Sequence, residues 1–134
     1  MKSAYIMRGI PGSGKSTVAK LLASTSRSSA IHSTDDYHVV NGKYKFDRGM
    51  LWVYHQRNLD AFTESCRKGV KVVVCDNTNF KKEFYSKYVK AAKRHGYKVF
   101  VVTVGDFNVR GCWKRNRHKV PLRVVKGMKE AFEL

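Results

Sequence analysis

Residues 9 to 16 read Gly-Ile-Pro-Gly-Ser-Gly-Lys-Ser, which fits the pattern G-x-x-x-x-G-K-[ST]. Glycines at these spacings let a backbone fold around phosphate oxygens and turn its N–H groups toward them. A lysine at the seventh place reaches the β and γ phosphates, and the hydroxyl after it can hold a divalent cation. Gly12, Ser13, Gly14, Lys15, Ser16 and Thr17 are therefore the expected phosphate contacts, with Ser16 as a direct Mg²⁺ ligand and ATP or another nucleoside triphosphate as the bound molecule. The pattern has this meaning only between a strand and a helix. Here the apolar run Ala4 to Arg8 stops at Gly9, and Val18, Ala19, Leu21 and Leu22 recur at helical spacing between Lys15 and Ala23.

Three further polar clusters could carry chemistry. Asp35 and Asp36 follow a short apolar stretch, where a carboxylate could take the proton of an attacking hydroxyl or could cap the next segment; the residues leave both roles open. Asp76 ends the run Val70 to Cys75, the place from which a carboxylate would approach Mg²⁺ through water, or from which Asp76, Asn77 and Thr78 would cap the following helix. Lys114-Arg115-Asn116-Arg117-His118-Lys119 is a basic run suited either to a lid over a transferring phosphoryl group or to a solvated face.

The elements that must position these residues follow from periodicity. Short strands are expected at residues 4–8, 30–33, 70–75 and 98–104, with helices at 15–23, from about Asp47 to Gly69, at 81–94, and from Pro121, placed at the first helical position, to near Phe132. Asn41-Gly42 marks a turn in a polar loop. On the third helix Phe84, Tyr85, Tyr88, Val89, Ala91 and Ala92 share one face and lysines the other. Strands alternating with helices predict an α/β fold, a parallel sheet of four strands flanked by helices. Ligands then bind at the carboxyl ends of the strands, where the polar clusters fall. The expectation is one domain over residues 1–134, with a short basic lid.

Composition narrows the partners. The chain has 27 Lys and Arg against 10 Asp and Glu, a formal charge of +17, which points to a polyanion because cations that neutralise phosphates release condensed counterions. With 43% hydrophobic and 12% aromatic residues, a disordered basic tail is excluded. No apolar run approaches the roughly 18 residues of a membrane span, and the start Met1-Lys2-Ser3 lacks a signal-peptide pattern, so a cytoplasmic location is expected. Cys66, Cys75 and Cys112 share no metal-ligand spacing and are expected as reduced thiols.

Taken together, Gly9 to Thr17, Ser33-Thr34-Asp35-Asp36-Tyr37, Asp76-Asn77-Thr78-Asn79, and Lys114-Arg115-Asn116 with Val120-Pro121 resemble the polynucleotide 5′-hydroxyl kinase family: the kinase domain of the bacteriophage enzyme and related small P-loop kinase domains of eukaryotes and viruses. The resemblance spans nearly the whole chain. It implies a P-loop kinase fold and Mg²⁺-dependent transfer of phosphate from ATP to the 5′-hydroxyl ends of RNA or DNA, as in end repair. In it Asp35 is the general base, and Lys15, Arg115 and a second lid cation, Arg117 in preference to Lys119, stabilise the phosphoryl charge. Asp36, His38 and Asn79 fall on the polynucleotide side; His38 stands where the phage enzyme has an arginine, a departure that weakens the charge offered to the acceptor. The phage enzyme's 3′-phosphatase segment has no counterpart here, so a phosphatase and a ligase would come from separate chains. Two alternatives compete: a P-loop kinase acting on a nucleoside or nucleotide, and a nucleic-acid-binding module that uses ATP as a switch.

Overall fold

The computed structural model describes residues 1–134. Its strands are β1 (Ser3–Arg8), β2 (Ser29–His32), β3 (Val39–Val40), β4 (Lys43–Tyr44), β5 (Val72–Asp76) and β6 (Lys98–Thr103). Its helices are α1 (Lys15–Ala23), α2 (Leu51–Arg67), α3 (Lys82–Arg94), α4 (Val109–Arg115) and α5 (Leu122–Glu130). Four strands make one parallel sheet in the order β2-β5-β1-β6, as the alternation of strands and helices predicts. Every residue of β5 is buried, because a central parallel strand is covered on both faces; this is why Val72 to Cys75 reads as a continuous apolar run.

The two faces separate by parity. Ala4, Ile6, Val73 and Cys75 join Phe62 and Cys66 of α2 and Tyr88 and Ala92 of α3 in one core cluster, while Met7, Val72 and Val74 pack against Ala19 and Ala23 of α1. The chain leaves β1 toward β2 and leaves β5 toward β6, so the sheet order reverses between β1 and β5. That crevice at the carboxyl ends is where an open α/β sheet binds ligands. The register sets Met7 opposite Asp76, which brings the ends of both strands to that point.

Some local expectations shift. The polar loop contains a small antiparallel hairpin, β3 with β4; Asn41 and Gly42 both have positive φ, 51° and 77°, the combination a two-residue turn of this hand requires. Phe84 is exposed rather than on the buried face of α3, its ring edge-on to Phe80. Pro121 caps α5 from outside, and Leu122 is the first helical residue.

Arg8 is buried at the end of β1. Its guanidinium donates to the carbonyls of Asn79 (2.8 Å), Phe80 (3.3 Å) and Glu133 and lies over the rings of Tyr85 and Phe132. No carboxylate pairs with it. The residues after α5 are thereby tied to the end of the sheet.

Candidate active site

The loop from Gly9 to Gly14 is shaped by backbone that other residues disfavour. Gly12 has φ +81°, and a Cβ there would run into the Cys112 carbonyl of α4; Gly14 has φ +94° with open space around it. Gly14 is the N-cap of α1, no side chain caps that helix, and its first turn holds no acid. The free N–H groups of the first turn, with the positive end of the helix dipole, are left to an anion. Lys15 is half-buried and enters no ion pair.

Ser16 donates its hydroxyl to Asp76 Oδ2 at 2.8 Å. The other carboxylate oxygen, Asp76 Oδ1, is buried without a partner, as is Ser13 Oγ. A buried, unpaired carboxylate oxygen beside a serine hydroxyl at the mouth of a phosphate loop is an oxygen donor set that suits Mg²⁺. The residues present therefore fit the cation.

Asp35 and Asp36 occupy a 3₁₀ turn, Thr34–His38, directly after β2. The turn is fastened to β5: the Thr34 N–H donates to Asn77 Oδ1 at 2.9 Å, and Asn77 Nδ2 donates to the Tyr88 hydroxyl at 3.4 Å. That hydroxyl also accepts from Asn58, a fully buried residue of α2, at 3.0 Å. Asn77 thus supports the turn after β2 rather than the following helix, whose N-cap is Lys81 with no side-chain cap.

The Asp35 carboxylate is held from two directions. Tyr44 of the hairpin donates its hydroxyl to Oδ1 at 3.3 Å, and His118 Nε2, from the basic run, lies 3.6 Å from Oδ2. The rings of Tyr44 and His118 stack with centroids 4.0 Å apart and planes inclined by 24°. Burial, then the Asp35 charge, pushes the Tyr44 phenol well above its usual range, so it remains a donor. Asp36 titrates above its ordinary value, raised first by desolvation and then by the charges of Asp35 and Asp76, with His118 and Arg117 opposing. The acid pair, the Walker-B-like Asp76 and the basic run are mutual electrostatic neighbours.

The basic run begins at the phosphate loop. Arg115, half-exposed, donates through Nε to the Gly12 carbonyl at 3.2 Å and pairs with Asp106. Arg117 is exposed. Two residues assigned to the polynucleotide side by resemblance are placed elsewhere. His38 is 1% exposed; its Nδ1 accepts the Asp47 N–H at 3.1 Å and its ring is enclosed by Tyr44, Phe46 and Tyr54. Asn79 is 3% exposed, has φ +46°, and donates to the Met7 carbonyl at 2.8 Å. Both are structural pins, corrected on burial. The cysteines are buried and unpaired, with burial pushing Cys66 up to about 11 and Cys75 up to about 12, so neither is a thiolate nucleophile at neutral pH.

Residues 5–134 match the family described as AAA domain, AAA_33. The chain belongs to this family. The chain is 34% identical over 131 residues to human NEDD4-binding protein 2, covering 96% of this chain and 7% of that protein. It is 27% identical over 136 residues to rat 2′,3′-cyclic-nucleotide 3′-phosphodiesterase, covering 98% of this chain and 31% of that one. The AAA_33 chain thus spans less than a third of either relative. Its fold is also that of a chain in the Pnkp1/Rnl/Hen1 RNA repair complex, with TM-score 0.76, 16% identity, and coverage of 97% and 43%. A gluconokinase from Sinorhizobium meliloti 1021 shares it too, with TM-score 0.64, 16% identity, and coverage of 98% and 75%. The fold is that of P-loop kinases.

Tyr44 and Asp106 were not among the residues singled out by sequence. Tyr44 could have been reached from Val-Val-Asn-Gly-Lys-Tyr, a short hairpin signature that brings the residue after the turn back toward the residues before it. Asp106 carries no local signal. No helix is long and apolar enough to cross a membrane.

Proposed function

We propose that this chain transfers the γ-phosphate of ATP to the 5′-hydroxyl of an RNA or DNA end. The observation that carries the reading is the adjacency of an acceptor-side acid pair to a donor-side cradle: the turn that holds Asp35 and Asp36 is bonded through the Thr34 N–H to Asn77, the residue after Asp76, and Asp76 accepts from Ser16 in the first turn of α1. A module that only bound ATP would have no need of a carboxylate held by Tyr44 and His118 beside that cradle.

In this reaction the acceptor oxygen attacks the γ-phosphorus, the bond to the β–γ bridging oxygen breaks, ADP leaves, and Asp35 takes the hydroxyl proton. Lys15 and the α1 N-terminus offset charge on the β and γ phosphates. Arg115, anchored at the Gly12 carbonyl, and the exposed Arg117 two residues on are the cations that would meet charge spreading onto the transferring group. Ser16 and Asp76 would hold Mg²⁺, which supplies charge neutralisation on the phosphates when bound. The excess of +17 supports a polynucleotide over a small acceptor, which needs only a few cations. The fold shared with a chain of an RNA repair complex supports a role in RNA end repair.

The test is label transfer from γ-labelled ATP with Mg²⁺ to 5′-hydroxyl RNA, 5′-hydroxyl DNA and a nucleoside. Labelled polynucleotide is expected, and Asp35→Asn should slow transfer by about 10²- to 10⁴-fold. Label on the nucleoside alone, or an Asp35→Asn variant as fast as the parent, overturns the reading.

A further inference from the structure

Ten large hydrophobic side chains are exposed in this chain, and four of them, Val39, Val40, Phe46 and Trp52, fall in the one segment from β3 to the first turn of α2. Trp52 is 76% exposed and Phe46 58%. Aromatic surface left in water at this density calls for a ligand rather than a packing explanation. The same segment carries Lys43, Lys45 and Arg48, all exposed and none in an ion pair. Its one acid, Asp47, accepts the Gly49 N–H at 2.9 Å and caps the turn that leads into α2.

The segment is anchored rather than loose. The Phe46 ring packs against buried His38 at 5.0 Å between centroids, the Lys45 N–H donates to the His38 carbonyl at 2.7 Å, and Tyr44 reaches Asp35. Exposed rings and unpaired cations therefore stand on a fixed support that runs into the candidate base.

We infer that residues 39–52 form a platform that grips the unpaired nucleotides behind an acceptor 5′ end, with bases on Phe46 and Trp52 and phosphates on Lys43, Lys45 and Arg48. The inference rests on the polynucleotide reading above and names the substrate class as single strands. Stacking on an aromatic ring needs a free base face, which a paired and stacked duplex end does not offer, while every unpaired base does. Charge favours this occupant over a protein partner, since the patch sets three exposed cations, Lys43, Lys45 and Arg48, against the single carboxylate of Asp47.

The experiment uses the full chain with Trp113→Phe, which leaves Trp52 as the one tryptophan, and titrates it with a short 5′-hydroxyl oligonucleotide, single-stranded or annealed as a blunt duplex. The single strand should quench Trp52 and bind about tenfold or more tightly than the duplex. In the chain that retains Trp113, Phe46→Ala with Trp52→Ala should weaken single-strand binding by about tenfold or more, measured by anisotropy of labelled strand, with ATP affinity unchanged as the folding control. Lys43→Ala with Lys45→Ala should lower the slope of log affinity against log salt by about one to two. Equal affinity for strand and duplex, or an aromatic double variant that binds like the parent, overturns the platform. So does a variant whose one change is that a dimer becomes a monomer in sedimentation, which would make the patch a contact between copies. None of these readouts needs phosphoryl transfer. Platform-dependent strand binding without label transfer would uphold the platform and refute the kinase reading; label transfer with an unaffected aromatic variant would do the reverse.

Discussion

Around Gly12 the fixed material is backbone: two glycines at positive φ, the uncapped first turn of α1, and the Cys112 carbonyl pressed against the loop. Around Asp35 it is side chains, drawn from Tyr44 in the hairpin, Asn77 after β5 and His118 in the basic run. A phosphate cradle made of main chain depends on torsion angles, and few residue types satisfy those angles. An acid whose carboxylate is held by Tyr44 and His118, on a turn tied to Asn77, can be re-aimed by exchanging any one of the three. One fold can then keep its donor chemistry while its acceptor side changes, consistent with its occurrence in both a gluconokinase and an RNA repair complex.

The contrast is broken most directly at the glycines. Gly12→Ala meets both the positive φ and the Cys112 carbonyl, and should lower stability by about 2–5 kcal/mol in urea unfolding, with loss of ATP binding. Gly14→Ala has the same sign of φ but free space, and should lose only about 1–2 kcal/mol. Equal losses would mean that the contact with α4 does not constrain the loop.

Tyr44→Phe tests the other side. It removes the hydroxyl from Asp35 while keeping the ring stacked on His118. One hydrogen bond of about 1 kcal/mol corresponds to roughly a fivefold fall in phosphoryl transfer. ATP affinity should stay where it is, and the melting temperature should fall by no more than about 2–4 °C. A change in ATP affinity instead would show that the two sides are not separately built.

The smallest effect concerns Asp36. Its folded-state value lies above the ordinary 3.8, chiefly through desolvation and then through Asp35 and Asp76. Between those two values the folded chain keeps a proton that the unfolded chain has released, so the contribution to stability falls as pH rises through that window. Above the window the ionised carboxylate is a liability. Asp36→Asn should therefore raise the melting temperature slightly at neutral pH without Mg²⁺ or nucleotide, and the gain should vanish below the ordinary carboxylate range. A gain that persists in acid would assign the effect to something other than charge.

The same division explains what could be read in the sequence. Gly9 to Ser16, the apolar run of β5 and its terminal Asp76 are contiguous, so spacing alone places them, and the parallel sheet follows from their alternation with helices. Asp35 was placed by its position after a strand, but the residues that hold it lie 9 and 83 positions away in sequence, at Tyr44 and His118, where no local period connects them. His38 and Asn79 show the reverse. Each stands in a segment that matches a functional motif, yet burial at 1% and 3% and bonds to neighbouring backbone make each a pin for the local chain. Motif position states where a residue lies along the chain; it does not state which way the side chain turns.

Arg8 has a consequence for how the molecule opens. The buried guanidinium has only carbonyls and ring faces for company. Releasing the residues after α5 would strip it of Phe132 and the Glu133 carbonyl together, while the Glu133 N–H would lose the Phe80 carbonyl it meets at 2.8 Å. The residues after α5 are thus tied to the end of β1, and the Glu133 amide should exchange its hydrogen with solvent on the schedule of β1 rather than that of a fraying end.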